Sequence, residues 1–392
     1  MPVLTRRWSH WIIVGCCVVA IGASTAFAVQ GEPASKTVAA GAKASAEATS
    51  TAKATSTQHT LDFGIAYGDT LLGTSQSTID TALNDAVTVG AHWIRVDLPW
   101  ESVQPESWDG YNWTQFDQIA EAAKSRGLKI DAILDDVPSW ARESACRSNY
   151  ACPPADFDQF AQYAAAAASH YGPLGIDTWE VWNEPNINAW APAPDPAAYE
   201  QLLVDTSKAL RGAESDAFVV LGGLAAVQNN PKIQRIDAYD FLTQVAELGG
   251  TKYINAVGLH PYSLPVLPSQ SVNFQMISSS PQNLVSVLQR YGTPSVSIWL
   301  TETGAQVTGA GPSGNVTQPA IKTREQQQAA YATNLVQTVA ANSHVGADFW
   351  YSDQDDSANN LYFGLRRANG TYRPAFDALK DAISACGCDN GR

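Results

Sequence analysis

The stretch TWEVWNEPN, residues 178–186, places a carboxylate at the end of an apolar run. The run from Thr178 to Trp182 has the apolar character of a buried β-strand. Glu184 follows directly, between Asn183 and Pro185. An acid at the end of such a strand suggests chemistry at the sheet edge, provided that another strand supplies a partner.

The same strand-like pattern recurs along the chain and alternates with helix-like runs. Eight apolar runs predict strands, at residues 62–67, 92–97, 129–134, 176–182, 218–222, 254–260, 296–301 and 346–351. The longer stretches between them repeat apolar residues at three- and four-residue spacing, which predicts helices, among them 78–89, 113–126, 157–170, 197–213 and 323–342.

Eight strand–helix units within residues 61–385 predict a single α/β domain with parallel strands. A closed (β/α)₈ TIM barrel and an open doubly wound sheet both fit this alternation. The count of eight favours the barrel. No glycine-rich phosphate loop of the GxGxxG type follows the first strand, which weakens the nucleotide-binding alternative.

The composition narrows the possible partners. The chain has 392 residues, of which 45% are hydrophobic and 16% charged, and its formal net charge is -14. Such an acidic chain is a poor ligand for nucleic acid or anionic membrane, whereas neutral sugars remain suitable. Twelve tryptophans supply rings for the core or for stacking on sugars. We expect a carbohydrate partner and a monomer.

The N-terminal region resembles an export signal. Arg6 and Arg7 precede an apolar run, and residues 26–28 (AFA) resemble a cleavage site, which predicts a signal peptide over residues 1–28. A lipoprotein anchor at Cys16 and an uncleaved membrane anchor are the less favoured alternatives. Residues 29–60, rich in Ala, Ser and Thr, predict a disordered linker. We therefore expect a secreted or wall-associated protein without stable membrane insertion.

The cysteines beyond the signal lie in two close pairs. Cys146 and Cys152 are six residues apart, which predicts a disulfide-closed loop in an oxidising compartment. Cys386 and Cys388 begin a C-terminal tail, residues 386–392, and are expected to pair elsewhere or to stay free, because a bond across one residue would be strained. No histidine joins either pair at zinc-ligand spacing, so neither a metal nor a cofactor is expected.

A second strand-end acid supplies the partner for Glu184. Glu302 follows the seventh predicted strand, and in a barrel both glutamates would face the same mouth. Two carboxylates flanking one bond are what glycoside hydrolysis requires. A lone glutamate at a strand end is more often a capping or ion-pairing residue, but two on the fourth and seventh strands favour catalysis. Glu180, earlier in the strand, is assigned a structural role.

These motifs resemble those of the retaining glycoside hydrolases of clan A, with families 39 and 5 as the most similar. Residues 182–186 (WNEPN) match the acid/base motif of that clan, and residues 301–304 (TETG) match its nucleophile strand. Supporting matches lie on the second, sixth and eighth strands and near the C-terminus, at residues 93–95, 260–262, 349–350, 364–366 and 374–376.

The resemblance implies a role for each site residue. Glu184 is the general acid and then the general base, and Glu302 is the nucleophile. Arg95 and Tyr262 hold Glu302 ionised, and Asn183 donates to the sugar 2-hydroxyl. His260 belongs to the same network or is a structural histidine. Trp350 is the expected floor under the reacting sugar.

Other strand-end residues have more open roles. Asp135 and Asp136 either contact sugar hydroxyls or cap the following loop. About half of the tryptophans near the strand ends are expected to be core residues, among Trp100, Trp140, Trp179, Trp182 and Trp190.

The sequence leaves the reaction's acceptor and its sugar open. A transglycosylase would use the same two glutamates, and a carbohydrate-binding barrel without catalysis is the non-enzymatic alternative. β-Glucans, xylans, mannans, bacterial exopolysaccharides and furanose-containing wall polymers are all candidate substrates. The long polar loops 263–281 and 304–318 are expected to shape the outer subsites.

Overall fold

The computed structural model describes residues 61–107, 110–307 and 318–388. The predicted signal peptide and linker lie outside these ranges, as do residues 308–317 of the predicted seventh loop and residues 389–392 of the predicted tail. No helix within the described ranges is long and apolar enough to cross a membrane.

Eight parallel strands close into a barrel in the order of the sequence. They are β1 (Asp62–Gly68), β2 (Trp93–Pro99), β3 (Lys129–Asp135), β4 (Thr178–Val181), β5 (Phe218–Ala225), β6 (Ala256–His260), β7 (Ser297–Thr303) and β8 (Val345–Tyr351). The barrel is sealed between β1 and β8, where Ile65 pairs with Trp350. The predicted (β/α)₈ TIM barrel is confirmed.

Helices connect the strands and cover the outside of the barrel. They are α1 (Gln76–Val89), α2 (Trp100–Val103), α3 (Thr114–Lys124), α4 (Phe157–Tyr171), α5 (Pro196–Ala213), α6 (Ala238–Leu248), α7 (Val272–Gln275), α8 (Leu284–Arg290), α9 (Gln318–Ala340) and α10 (Pro374–Cys386). Because the helices cover one face of the sheet and the barrel interior takes the other, all seven residues of β2 are buried.

Local chemistry fixes where the helices begin and end. Ser75 precedes α1, and its hydroxyl accepts a hydrogen bond from the backbone N–H of Thr78. Asp195 does the same for the first N–H groups of α5, and Pro196 suits the first helical position. These helix N-termini lie on the side of the barrel where the strands end. Each loop there is therefore fixed by a strand at one end and by a capped helix at the other.

Aromatic rings close the opposite, N-terminal end of the barrel. Trp299 packs against Trp93 with ring centroids 5.3 Å apart and against Phe218 at 4.9 Å. Phe349 fills the space beside Gly64, where an added Cβ would lie 2.4 Å from the ring. This apolar plug leaves the C-terminal mouth as the end at which polar side chains can meet a ligand.

Candidate active site

Glu184 reaches the mouth through an unusual backbone path. The β4 ladder ends at Val181, because Trp182 and Glu184 both adopt left-handed conformations, with φ of 70° and 48°. The Glu184 N–H donates to the carbonyl of Gly223 at 3.1 Å. Asn186 then ties the segment down: its amide nitrogen donates to the carbonyls of Ala225 and Ile236. The side chain of Glu184 is 14% exposed. Such strain at an ordered position is typical of functional sites.

Glu302 is held by two donors near the end of β7. Arg95 Nη1 donates to Oε1 at 2.7 Å, and the Tyr262 hydroxyl donates to Oε2 at 2.8 Å. The sequence placed Glu302 just after its strand, whereas the structure extends β7 to Thr303. The carboxylate is therefore positioned by strand backbone as well as by its partners.

Arg95 is the centre of the buried network below the mouth. Its guanidinium donates twice to Glu180, at 2.7 and 3.0 Å, and once to the amide oxygen of Asn183 at 2.9 Å. Glu180 also accepts the N–H of Gly223 at 2.6 Å. Glu180 thus holds Arg95 from beneath while Arg95 holds Glu302 and Asn183 at the surface of the site.

His260 lies between the two strand-end glutamates. Its Nδ1 is 3.0 Å from Glu184 Oε1 and 3.7 Å from Glu302 Oε2, and its Nε2 is 3.0 Å from the Thr301 hydroxyl. The ring fits because residue 223 is glycine: a Cβ there would lie 1.9 Å from Nε2. The structure therefore brings His260 into the hydrogen-bond network of the two glutamates.

The electrostatics keep Glu302 ionised. Burial by itself would raise the pKa of its carboxyl, but the charges of His260 and Arg95 and the hydrogen bonds from Tyr262 and Arg95 outweigh burial and lower the pKa. Burial opposes the charge on Arg95, yet Glu180 and Glu302 raise its pKa well above the ordinary value. Arg95 is thus a permanent cation within the barrel.

Asp131 is a member of this network that the sequence did not indicate. It is fully buried and pairs in register with Arg95 across β2 and β3. Burial and then the charge of Glu180 raise its pKa well above the usual range, with Arg95 opposing. Its place in the middle of β3, rather than at the strand end, is why strand-end reasoning missed it.

Trp350 does not occupy the position expected of a sugar floor. It is 1% exposed, and its ring packs edge-on against Tyr331 of α9, with centroids 6.3 Å apart. The neighbouring Tyr351 faces the interior: burial and then the charge of Glu302 raise its pKa well above the ordinary value. Strand alternation sends adjacent side chains to opposite faces, so the ring that borders the site is Tyr351.

A second aromatic, Phe363, joins the rings near Glu302. It packs against Tyr262 and Tyr351, in each case with centroids 5.4 Å apart. Phe363 lies in the loop after β8, one residue before the predicted match at residues 364–366, and that motif does not include it. The three rings form an apolar border beside Glu302.

The strand-end tryptophans are mainly core residues. Four of the five are buried, namely Trp100, Trp179, Trp182 and Trp190, and Trp140 is partly buried. Trp140 donates from its indole nitrogen to the carbonyl of Gln104 at 3.1 Å. More of these rings are structural than the sequence suggested.

Aspartates gather at the end of β3. Asp135 is 6% exposed, and burial followed by the charges of Asp136 and Asp97 raises its pKa well above the usual range. Asp136 has a left-handed backbone, with φ of 46°. These aspartates make this side of the mouth acidic and suited to hydroxyl-rich, uncharged ligands.

The cysteine pairs are both bonded. Cys146 and Cys152 form the expected disulfide, with an S–S distance of 2.09 Å. Cys386 and Cys388 are also joined, although the sequence predicted other partners or free thiols. Across the described ranges, no group of three or more His, Cys, Asp or Glu side chains is arranged to hold a metal ion.

Similar structures are glycoside hydrolases. A family 39 glycoside hydrolase from Bacteroides cellulosilyticus WH2 has a TM-score of 0.63 at 22% identity over 83% of this chain, which spans 64% of that enzyme's length. A family 5 member from Streptomyces cattleya, solved with GlcNAc, has a TM-score of 0.57 at 16% identity, covering 85% of this chain and 82% of its own.

The match to a third similar structure covers almost the whole of that enzyme. Xylanase 10B from Thermotoga maritima has a TM-score of 0.56 at 14% identity, covering 84% of this chain and 96% of the xylanase. At these identities the likeness establishes the fold alone. No curated protein sequence matches the chain significantly.

The sequence itself carries the family assignment. The model of the cellulase family, glycosyl hydrolase family 5, matches residues 45–355, which include all eight strands and both glutamates. With its barrel and paired carboxylates, this chain belongs to glycosyl hydrolase family 5 of clan A and is a glycoside hydrolase.

Proposed function

We propose that the chain is a retaining glycosidase that cleaves β-linked poly- or oligosaccharides by double displacement. The observation that carries the proposal is His260 Nδ1, which contacts both Glu184 Oε1 and Glu302 Oε2 at 3.0 and 3.7 Å. A shared contact atom favours the carboxyl separation of about 5–5.5 Å in retaining enzymes over the about 6.5–9.5 Å of inverting enzymes.

In the first step Glu302 attacks the anomeric carbon while Glu184 gives its proton to the departing glycosidic oxygen. The lowered pKa of Glu302 suits a nucleophile, because the carboxylate must be ionised before it attacks. Arg95 and Tyr262 each hold one of its oxygens, which fixes its orientation. The product of this step is a glycosyl ester on Glu302.

In the second step Glu184, now a carboxylate, removes a proton from water, and the water attacks the anomeric carbon and releases Glu302. Asn183 supports both steps. Its amide oxygen accepts from Arg95, so its amide nitrogen is the group that can donate to the sugar 2-hydroxyl. That contact strengthens in the transition state, where it lowers the barrier.

Azide rescue tests the assignment of the two glutamates. Glu184→Ala should lose turnover of natural glycans but keep slow attack on aryl glycosides with good leaving groups, and added azide should restore rate and yield a β-glycosyl azide. Glu302→Ala is the matched control, in which azide should give no β-azide. Wild-type turnover of natural glycans by Glu184→Ala would contradict the assignment.

The proposal extends to export. The positive, apolar and small-residue pattern of residues 1–28 supports a cleaved signal and a secreted or wall-associated enzyme. Mass spectrometry of protein recovered from the medium should find Val29 as the first residue. An intact N-terminus on protein that remains in the cell would contradict this part of the proposal.

A further inference from the structure

The loop between β3 and α4 is fastened to the segment that follows Glu184. Its disulfide, Cys146–Cys152, lies in a small buried cluster with Ala151 and Ala191. The N–H of Ala191 donates to the carbonyl of Ala151 at 2.9 Å. Ala191 belongs to the chain that continues from Glu184 towards α5, so the disulfide loop and the acid/base segment are held to each other.

A buried arginine anchors the same loop to the barrel. Arg142 is 7% exposed, and its Nε donates to the carbonyl of Val137 at 2.6 Å. Its Nη2 forms an ion pair with Glu101 of α2 at 2.8 Å. The loop is thus fixed at its start by Arg142 and at its end by the disulfide, which leaves little freedom to the residues between them.

Tyr150 is the exposed aromatic residue carried by this fixed loop. It is 40% exposed and directly precedes Ala151. Burial of the rest of the ring, and then the charges of Asp136 and Glu184, raise the pKa of Tyr150. The next residue, Ala151, is hydrogen-bonded to Ala191 on the chain that follows Glu184, so the accessible ring stands on the Glu184 side of the mouth.

The chemistry of double displacement assigns that side to the leaving group. Glu184 donates its proton to the glycosidic oxygen, so the sugar beyond that oxygen departs on the side of Glu184. Aromatic faces offer apolar surface to the C–H faces of sugar rings. A ring on a fixed loop loses little conformational entropy when a sugar binds against it.

We infer that Tyr150 forms a wall of the leaving-group subsite and that the Cys146–Cys152 disulfide holds it there. The inference rests on the proposed retaining mechanism. It makes Tyr150 a specificity residue for the sugar that leaves in the first step and for any sugar that replaces water in the second step. The same wall would favour transfer to sugar acceptors.

The test uses the glycosyl-enzyme, in which the leaving-group subsite is empty. The full chain is labelled with 2,4-dinitrophenyl 2-deoxy-2-fluoro-β-glycosides of glucose, xylose and mannose, and the labelled form is freed of reagent. Recovery of activity is then followed in buffer and in increasing cellobiose, xylobiose or mannobiose. The measured quantity is the ratio of acceptor-dependent to water-dependent recovery.

Tyr150→Ala should lower this ratio at least about ten-fold, while Tyr150→Phe should keep it near the wild-type value. Cys146→Ser/Cys152→Ser should lower it as well, because the ring loses its support. Tyr111→Ala is the matched control: Tyr111 is 36% exposed and stacks on Trp113 at 5.1 Å, and its removal should leave the ratio unchanged.

The outcomes separate the inference from the proposed function. If the enzyme turns over the aryl glycoside of one of these sugars but the matching fluorosugar does not label it, the retaining mechanism fails and the role of Tyr150 fails with it. If labelling succeeds but Tyr150→Ala keeps the wild-type ratio, or if Tyr111→Ala lowers it equally, the mechanism stands and the inference about Tyr150 is overturned. A tyrosine with only a structural role would change both recoveries together and leave their ratio constant.

Discussion

Arg95 shows how one side chain organises the site. A guanidinium carries five donors in a fixed plane, and here they serve Glu180, Glu302 and Asn183 together. Lysine would supply one point charge and could not hold three acceptors in one plane. The cost of burying Arg95 is offset because Glu180 and Glu302 both pair with it. Glu302 is thus positioned from inside the barrel.

Tyr262 should control the acid limb of the activity profile. Its hydrogen bond stabilises the ionised form of Glu302 and lowers the pKa of that carboxyl. Tyr262→Phe should therefore move the acid limb of kcat/KM to higher pH, since the nucleophile becomes protonated sooner as the pH falls. The measurement is a pH profile on an aryl glycoside.

Tyr331→Phe is the matched control for that profile. Tyr331 is a buried tyrosine whose hydroxyl lies 3.3 Å from that of Ser263. The variant Tyr331→Phe should leave the acid limb of the kcat/KM profile at the wild-type pH. An unchanged acid limb in Tyr262→Phe would show that Tyr262 does not set the ionisation of Glu302.

The two glutamates could be predicted from sequence because each lies where an apolar run ends. Their support could be predicted only in part: the resemblance implied Arg95 and Tyr262, whereas the partners of Glu180 and the presence of Asp131 come only from the structure. Glu180 and Asp131 are inside their strands, and nothing in their neighbours along the chain distinguishes them from other buried positions. Their role arises from the pairing of β2 with β3 and of β3 with β4, which brings distant side chains to Arg95.

At the scale of elements, β8 shows the effect of alternation. Phe349 and Tyr351 face the barrel interior, while Trp350 packs against α9 on the outer side. The apolar run predicted the strand, but both of its faces are buried, so composition gives no indication of which residues point inwards. Neighbouring residues of a strand point to opposite faces, so an error of one position in the expected site residue moves it from the interior to the outer face.

Asp348, also in β8, should make stability depend on pH. It is fully buried, and one of its carboxylate oxygens has no hydrogen-bond partner. Burial raises its pKa to about 7, with a hydrogen bond from Thr303 opposing. The folded state therefore binds a proton that the unfolded state releases near its ordinary pKa. The stability that this bound proton contributes is complete below the ordinary pKa of aspartate and is lost as the pH rises to about 7.

Asp348→Asn should remove this dependence and raise the free energy of unfolding at pH 8 by roughly 2–4 kcal/mol relative to the wild type. The measurement is urea unfolding of both proteins between pH 4 and 8. Asp377→Asn, at an exposed position of α10, is the control and should change stability by less than about 0.5 kcal/mol. An equal fall with pH in wild type and Asp348→Asn would contradict the prediction.

At the scale of the whole molecule, the barrel gathers one residue or two from each of four strands into one mouth. Arg95 comes from β2, Glu184 from the end of β4, His260 from β6 and Glu302 from β7. The order of strands was predictable, because local periodicity and parallel connections leave few arrangements. The positions of Phe363 and Tyr150 depend on loops whose shape cannot be predicted from local sequence.

The central claim is that Glu302 becomes covalently bonded to the sugar. It is tested most directly by incubating the enzyme with the 2-deoxy-2-fluoro-β-glycosides and mapping the labelled peptide by mass spectrometry. We predict the added mass of one fluorosugar on Glu302, and none on Glu302→Ala treated in the same way. Label on Glu184, or inactivation without any added mass, would contradict the account.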